Sequence, residues 1–237
     1  MKWQWRAIYG FCILTFGCSS QEQSLQLFAA SSAREALTEF EVAFEQQHPE
    51  VDLQVQSGAS SRLRFQIDQG ARADVFLSAN ADEVNHLSET PVARTPWLRN
   101  QMVLGLAKGN PAKIRSVQDL MKPGLRFVRA QDTVPAGAYA LEWLDQVDPR
   151  LGAAIQSNMR SLESNVRQVR AKLNLGEVDA AFLYKTDLGQ LPMLNDGPTV
   201  HTQMELALMV DNPMANALYT ALQESTLWAD YGFEVSP

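Results

Sequence analysis

Small residues and hydroxyls follow apolar segments at two places near the start of the chain. A serine pair at 31–32 comes directly after the apolar segment 25–28, and a second pair at 60–61 comes soon after the alternating segment 51–55. A helix that begins at such a place presents N–H groups without intrahelical acceptors, and the positive end of its dipole, to an anion. A serine there either donates to the anion or caps the helix. The pattern therefore predicts two anion-binding turns, with capping as the plainer alternative.

A third turn of this kind lies in the second half of the chain. Pro135, Ala136 and Gly137 follow the apolar segment 125–128. Proline suits the first turn of a helix because its φ is already helical, and the small residues after it leave their N–H groups accessible. Donors from three separate helix starts are therefore expected.

The elements that must position these turns alternate along the chain. Segments 25–28, 51–55 and 74–77 are predicted strands, and each precedes a predicted helix. Such repeats are typical of a parallel sheet covered by helices, with ligands at the carboxyl ends of the strands. A Lys-Gly-Asn-Pro break at 108–111 separates two such sets, and an apolar strand returns at 205–210. The predicted fold class is α/β with two lobes, the first formed by both ends of the chain.

The chain begins with a pattern that is typical of an export signal. Lys2 and Arg6 precede residues 7–17, which carry no charge and are about half as long as a bilayer-crossing helix must be. Residues 1–17 are therefore predicted to be a signal peptide and residues 18–24 a tether. The mature protein is expected in the periplasm or at the cell envelope.

Cys18 is the candidate lipidation site. It follows the small residue Gly17, as in a lipoprotein cleavage site, although Leu14 lies four residues before the cysteine and Thr15 occupies its usual position. We expect Cys18 to be acylated, so that the protein touches the membrane only through a lipid anchor; secretion after cleavage is the alternative. Because Cys12 would leave with the signal, the mature domain is expected to contain no disulfide.

The charge balance argues against several classes of partner. The chain has a formal net charge of −7, and removal of Lys2 and Arg6 would make it −9. Such acidity argues against nucleic acid and anionic lipid as partners, whereas a small anion responds to local N–H dipoles more than to net charge. The three histidines lack ligand spacing, so neither direct metal-ion ligands nor a cofactor are predicted.

Five short motifs, in order and with similar spacing, resemble the periplasmic molybdate-binding proteins of ABC importers. They are FAASS at 28–32, SGASS at 57–61, GARADVFLSA at 70–79, VPAG at 134–137 and LY at 183–184. The similarity covers about residues 25–233. It implies a two-lobed type II periplasmic binding fold in which each lobe is a mainly parallel sheet flanked by helices. Lobe 1 would comprise 25–102 and 206–237, and lobe 2 would comprise 103–205.

The resemblance also implies a set of ligand-binding residues. Carried over position by position, they fall on Ser32, Ser60, Ala136, Val166 and Tyr184. The serines and the tyrosine would donate through hydroxyls, and the other two through backbone N–H groups. Ser31 stands where the family more often has alanine, and Arg62 where a small polar residue is common, so which serine of each pair donates is left open. Taken alone, Tyr184 would more often be a core or rim residue.

The implied function is that of an extracytoplasmic solute-binding protein and not of an enzyme. It would capture molybdate, and tungstate with it, between the lobes and deliver the anion, as a monomer, to the ABC permease of the inner membrane. Neutral donors suit this dianion because they satisfy its oxygens without burying a counter-ion. The alternatives are a binding protein of the same fold for sulfate, phosphate or an iron–anion complex, a ligand-sensing domain of a regulator, and a serine hydrolase. The last lacks a G-x-S-x-G turn and an obvious base.

Overall fold

The structure, a computed structural model, describes residues 23–236. The predicted signal peptide, most of the predicted tether and the lipidation candidate Cys18 lie outside the described residues. Over residues 23–236, no helix combines the length and the apolar character that a bilayer crossing requires.

Strands and helices alternate through most of the described chain, as the sequence predicts. The strands are β1 (Gln23–Ala30), β2 (Val51–Gly58), β3 (Val75–Ser78), β4 (Ala93–Leu106), β5 (Phe127–Ala130), β6 (Met159–Glu163), β7 (Ala180–Tyr184), β8 (Val200–Leu208) and β9 (Glu234–Val235). The helices are α1 (Arg34–Gln47), α2 (Ser60–Asp68), α3 (Ala81–Asn85), α4 (Pro135–Asp145), α5 (Pro149–Ser157), α6 (Val166–Asn174), α7 (Pro213–Glu224) and α8 (Leu227–Asp230). Short 3₁₀ turns occupy Ser31–Ala33, Val117–Met121 and Lys185–Asp187.

The strands form a sheet in the order β2-β1-β3-β8-β4-β7-β5-β6, and β9 pairs with β4. Within it, β1 is parallel to β2 and β3, and β5 is parallel to β6 and β7. These two parallel sets, with their helices, form the two lobes, which we call the first lobe (β1–β3 side) and the second lobe (β5–β7 side). The two-lobed α/β prediction is confirmed, but the sheet is continuous, because β4 and β8 join the lobes through antiparallel pairs.

The joining strands are longer than the sequence predicts. Strand β4 pairs with β8 over most of its length and with β7 at its end, and its register shifts between Pro96 and Arg99. The apolar segment at 102–107 and the predicted strand at 205–210 cover only parts of β4 and β8. The predicted lobe boundaries, at 102/103 and 205/206, lie within these two strands.

The last part of the chain packs against the first lobe. Trp228 of α8 is buried and meets Trp97 of β4 edge to face, with ring centroids 4.7 Å apart. It also lies 6.3 Å from Phe40 of α1, centroid to centroid, and its Nε1 donates to the carbonyl of Leu222 at 2.9 Å. Both tryptophans therefore have the packing role that is the simplest interpretation of their sequence positions.

Candidate functional site

The five residues that the family resemblance predicts all line one cavity between the lobes. It encloses about 250 Å³ of empty space, part of it open to solvent. The first lobe contributes Ser32 and Ser60, and the second lobe contributes Ala136, Val166 and Tyr184. Turns that are distant in the sequence therefore meet at one place.

The serine pair at 31–32 follows the carboxyl end of β1. The chain passes from Ala30 into the 3₁₀ turn and then into α1, and both serines are buried at the cavity. The helix-capping positions are held by Ala30 and Ala33, and neither the turn nor α1 has a side-chain cap. The capping alternative is therefore not what the structure shows for this pair. Ser31 and Ser32 both remain candidates for the donor.

Ser60 is the first residue of α2 and is almost fully buried. Its Oγ accepts a hydrogen bond from the backbone N–H of Ala79 at 2.9 Å. Because a hydroxyl that accepts in this way keeps its own proton, Ser60 can still donate into the cavity. Ala79 follows β3 and also lines the cavity, whereas Ser61 is outside its lining. In this pair the structure turns Ser60, and not Ser61, towards the cavity.

The second lobe presents two helix starts. Pro135 and Ala136 open α4, and Val166 opens α6, whose cap is the Asn165 side chain, accepting from the N–H of Gln168 at 3.1 Å. First-turn N–H groups have no intrahelical acceptor. Ala136 and Val166 are both buried at the cavity, so their N–H groups are positioned to serve an anion there.

Gly137 makes the α4 turn possible. A Cβ at this position would lie 1.9 Å from the carbonyl oxygen of Gln131, which is far inside van der Waals contact. The loop before α4 therefore crosses the start of the helix at a distance that only glycine allows. This close approach explains the glycine in the VPAG motif.

Tyr184 ends β7, and its hydroxyl is buried. Within residues 23–236 this hydroxyl has no hydrogen-bond partner. Burial raises the pKa of Tyr184 well above its usual range, and Tyr139 and Asp187 raise it further. The phenol is therefore protonated at neutral pH and is a donor without an acceptor. Leaving such a group unsatisfied costs about 1–3 kcal/mol, and an anion in the cavity would remove that cost.

The cavity is electrically neutral apart from its dipoles. None of the described residues that line it carries a formal charge, and the starts of α2, α4 and α6 face it. Arg62 is exposed and outside the lining. Over residues 23–236, no cluster of three or more His, Cys, Asp and Glu side chains is suited to a metal ion. The donor set fits an anion with several acceptor oxygens.

Sequence reasoning missed some of the lining and the interactions around it. Ala79, which orients the Ser60 hydroxyl through its backbone N–H, lies in the 70–79 motif. The motif itself does not indicate that this N–H contacts Ser60. Asn165 both caps α6 and lines the cavity. The contact of Glu35 with Arg167 and Arg170 joins α1 to α6 across more than 130 residues of sequence. No local sequence pattern predicts this contact.

Comparisons with known proteins agree with the fold. Residues 25–234 match the family described as bacterial extracellular solute-binding protein. The molybdate-binding protein ModA of Mycobacterium tuberculosis (strain ATCC 25618 / H37Rv) is 34% identical over 174 residues, which are 72% of this chain and 64% of that protein. The chain thus spans a little less than two thirds of the length of this relative.

Two solved structures illustrate the likeness of the fold. The periplasmic molybdate-binding protein of Azotobacter vinelandii has a TM-score of 0.70 at 19% identity, covering 90% of this chain and 100% of that one. The sulfate-binding protein SubI from Mycobacterium tuberculosis H37Rv has a TM-score of 0.73 at 17% identity, covering 90% of this chain and 87% of that one. At these identities the likeness concerns the fold alone, and proteins named for two different oxyanions share it.

Proposed function

Because the chain belongs to the family of bacterial extracellular solute-binding proteins, we propose that it captures molybdate, and tungstate with it, and delivers the anion to an ABC importer. One observation supports this most strongly: uncharged hydrogen-bond donors from both lobes converge on one cavity. A 34% identical relative is a molybdate-binding protein, which favours this oxyanion over others.

Each of the five residues has a role in this proposal. Ser32, Ser60 and Tyr184 donate through their hydroxyls, and Ala136 and Val166 donate through backbone N–H groups. Molybdate at neutral pH is doubly negative and offers only acceptors, so donors alone can satisfy its oxygens. A buried counter-ion would instead bring a desolvation cost of several kcal/mol. Charged partners are therefore not needed at the anion itself.

Selectivity follows from size and protonation. Molybdate and tungstate are larger than sulfate, so a cavity shaped for them leaves gaps around the smaller anion. A protonated phosphate brings an O–H group against donors and leaves one of them unpaired, which is costly in a buried site. The same cavity thus rejects the two commoner oxyanions for different reasons.

The location and the partners belong to the same proposal. The mature protein is extracytoplasmic, in the periplasm or at the cell envelope, and is held to the membrane by a lipid on Cys18. It acts as a monomer and not as an enzyme. Residues 25–102 and 206–237 form one lobe and 103–205 the other, and their closure creates the surface that the permease recognises. Mass spectrometry of the mature N-terminus tests the lipid, since an unmodified start elsewhere than Cys18 refutes it.

Calorimetry tests the ligand. The mature chain is titrated with molybdate, tungstate, sulfate and phosphate under identical conditions. We expect molybdate and tungstate to bind tightly and the other two weakly or not at all. Sulfate binding as tight as molybdate binding would overturn the assignment and leave a sulfate-binding protein of the same fold.

A further inference from the structure

A charged contact crosses the cleft beside the cavity. Glu35 of α1, in the first lobe, accepts from two guanidinium groups of α6, in the second lobe. The Arg167 Nη1 lies 2.8 Å from Glu35 Oε2, and the Arg170 Nη1 lies 3.0 Å from Glu35 Oε1. Both carboxylate oxygens of one side chain are thus used by the opposite lobe.

The contact is adjacent to the proposed anion site on both sides. Glu35 lies three residues after Ser32, at the beginning of α1, and Arg167 directly follows Val166, at the beginning of α6. The two helix starts that bear proposed anion donors are therefore tied to each other by side chains one turn away. Because the partners belong to different lobes, separating the lobes breaks both hydrogen bonds.

Arg170 also packs against its own lobe. It is half-buried, and one of its guanidinium nitrogens lies close to Gly189, where an added Cβ would be 3.2 Å from Nη2. The buried carboxyl of Asp187 is near enough to interact with it: burial raises the pKa of Asp187 to about 7, and Arg170 opposes that rise. The planar guanidinium fork loses less freedom per hydrogen bond than a flexible ammonium group would.

This geometry distinguishes the contact from an ordinary surface ion pair. Isolated exposed pairs contribute little, because water screens them and two long side chains must be fixed. Here one carboxylate receives two charged donors, and charge-assisted bonds of this kind are stronger than neutral ones. We propose that Glu35, Arg167 and Arg170 form a latch that holds the lobes closed around the anion and slows its release.

The latch acts through closure, so the three side chains are positioning residues and do not touch the anion. It rests on the proposed function for its ligand, but not on which oxyanion is bound. Association begins with the open form, which lacks the contact, whereas dissociation requires the contact to break. We therefore expect its loss to appear in the dissociation rate.

The test compares Glu35→Gln with Glu39→Gln. Glu39 lies one turn further along α1, and its Oε2 accepts from the Tyr231 hydroxyl at 2.9 Å within the first lobe. In stopped-flow experiments with molybdate, Glu35→Gln is expected to raise the dissociation rate about tenfold, equivalent to about 1.4 kcal/mol, and the association rate should not fall, because the anion enters the open form. Glu39→Gln should match the wild type, and Glu35→Asp should recover part of the loss. An unchanged dissociation rate in Glu35→Gln would overturn the latch.

A second measurement separates failure of the latch from failure of the proposed function. Both cysteines of the chain, Cys12 and Cys18, precede the described residues, so once both are replaced by serine, spin labels can be introduced selectively at Val42→Cys and Leu175→Cys. These positions are 55% and 74% exposed, on α1 and beside α6. In the anion-free protein, Glu35→Gln should broaden the distance distribution towards larger separations. If no oxyanion binds the wild type, the proposed function fails, whereas an unchanged distribution in Glu35→Gln would refute the latch.

Discussion

The two lobes treat their buried polar groups differently. In the first lobe, the Ser60 hydroxyl accepts from the Ala79 N–H, and the buried carboxylate of Asp74 accepts from the Gln26 N–H at 2.7 Å and pairs with Arg72. In the second lobe, the Tyr184 hydroxyl and both carboxyl oxygens of Asp187 have no hydrogen-bond partner among the described residues.

The difference shows where the molecule gives up stability. A buried polar group without a partner costs free energy, whereas a paired one contributes a little. The first lobe therefore satisfies the polar atoms of Ser60 and Asp74, although the buried Ser57 hydroxyl of β2 has no partner, and the second lobe leaves Tyr184 and Asp187 unsatisfied. A ligand that accepts from Tyr184 removes part of this deficit, so binding and stability should respond in opposite directions to the loss of the Tyr184 hydroxyl. The loss of the Ser60 hydroxyl should lower both.

The largest effect is expected at Asp187. Burial raises its pKa from 3.8 to about 7 in the folded protein, so the folded state holds a proton that the unfolded state releases at lower pH. Stability is therefore fully present below pH 3.8 and is lost as the pH rises towards 7. Since one pKa unit corresponds to about 1.4 kcal/mol, the loss amounts to about 4 kcal/mol. Asp187→Asn should abolish this dependence, as urea unfolding at pH 5 and pH 8 would reveal.

Asp74 supplies the control for that experiment. Asp74→Asn removes a carboxylate that already has partners, so it should destabilise the protein instead of stabilising it at pH 8. If both variants behave alike, the contrast between the lobes is wrong.

The second largest effect is expected at Gly137. Because an added Cβ would lie 1.9 Å from the Gln131 carbonyl oxygen, Gly137→Ala must displace the start of α4. We expect a loss of about 2–3 kcal/mol in the free energy of unfolding and a marked loss of anion affinity, because the Ala136 N–H moves with the helix. Gly152→Ala in α5 is the matched control, since its Cβ would meet nothing closer than 3.5 Å. That variant should retain both properties in thermal unfolding and calorimetry.

Tyr184→Phe tests directly whether anion affinity and anion-free stability respond in opposite directions. Removing the unpartnered hydroxyl should leave the anion-free protein as stable as before or slightly more stable. The same change should weaken anion binding by about 1–3 kcal/mol, because a buried donor to the anion is lost. Calorimetry and thermal unfolding of the same preparation measure both. An unchanged affinity would remove Tyr184 from the site.

Ser60→Ala should give the smallest effect and, unlike Tyr184→Phe, should lower affinity and stability together. It removes a donor to the anion and also leaves the Ala79 N–H without its acceptor. Affinity and anion-free stability should therefore both fall, each by about 1 kcal/mol. Ser61→Ala, at a position outside the cavity lining, should change neither by as much. A loss at Ser61 equal to that at Ser60 would contradict the orientation of this turn.

The sequence predicts the turns that line the cavity better than the centre of the fold. The turns at 31–32, 57–61 and 134–137 are local patterns, since each joins an apolar strand to a helix start within a few residues. Strands β4 and β8 are less evident because Pro96 and the polar residues around it interrupt the apolar run. These segments become strands by pairing with each other, which is a tertiary effect.

Two other features also depend on distant contacts. Strand β6 was not predicted, because its five residues carry a weak apolar pattern and are fixed by a parallel pairing with β5. The choice between Ser60 and Ser61 depends on the rotation of α2 about its axis, which Ala79 helps to set through its N–H. Neither the pairing of β6 with β5 nor the rotation of α2 can be predicted from the local sequence.

The paired strands β4 and β8 have a mechanical consequence. Within the described residues, the chain passes from one lobe to the other along these two strands, so the second lobe is attached to the first as an insert on a hydrogen-bonded ribbon. In hinge closure of this kind, a few residues of the connecting segments absorb the change in backbone angles. Any tether ahead of Gln23 would hold the first lobe, which leaves the second lobe as the part that swings.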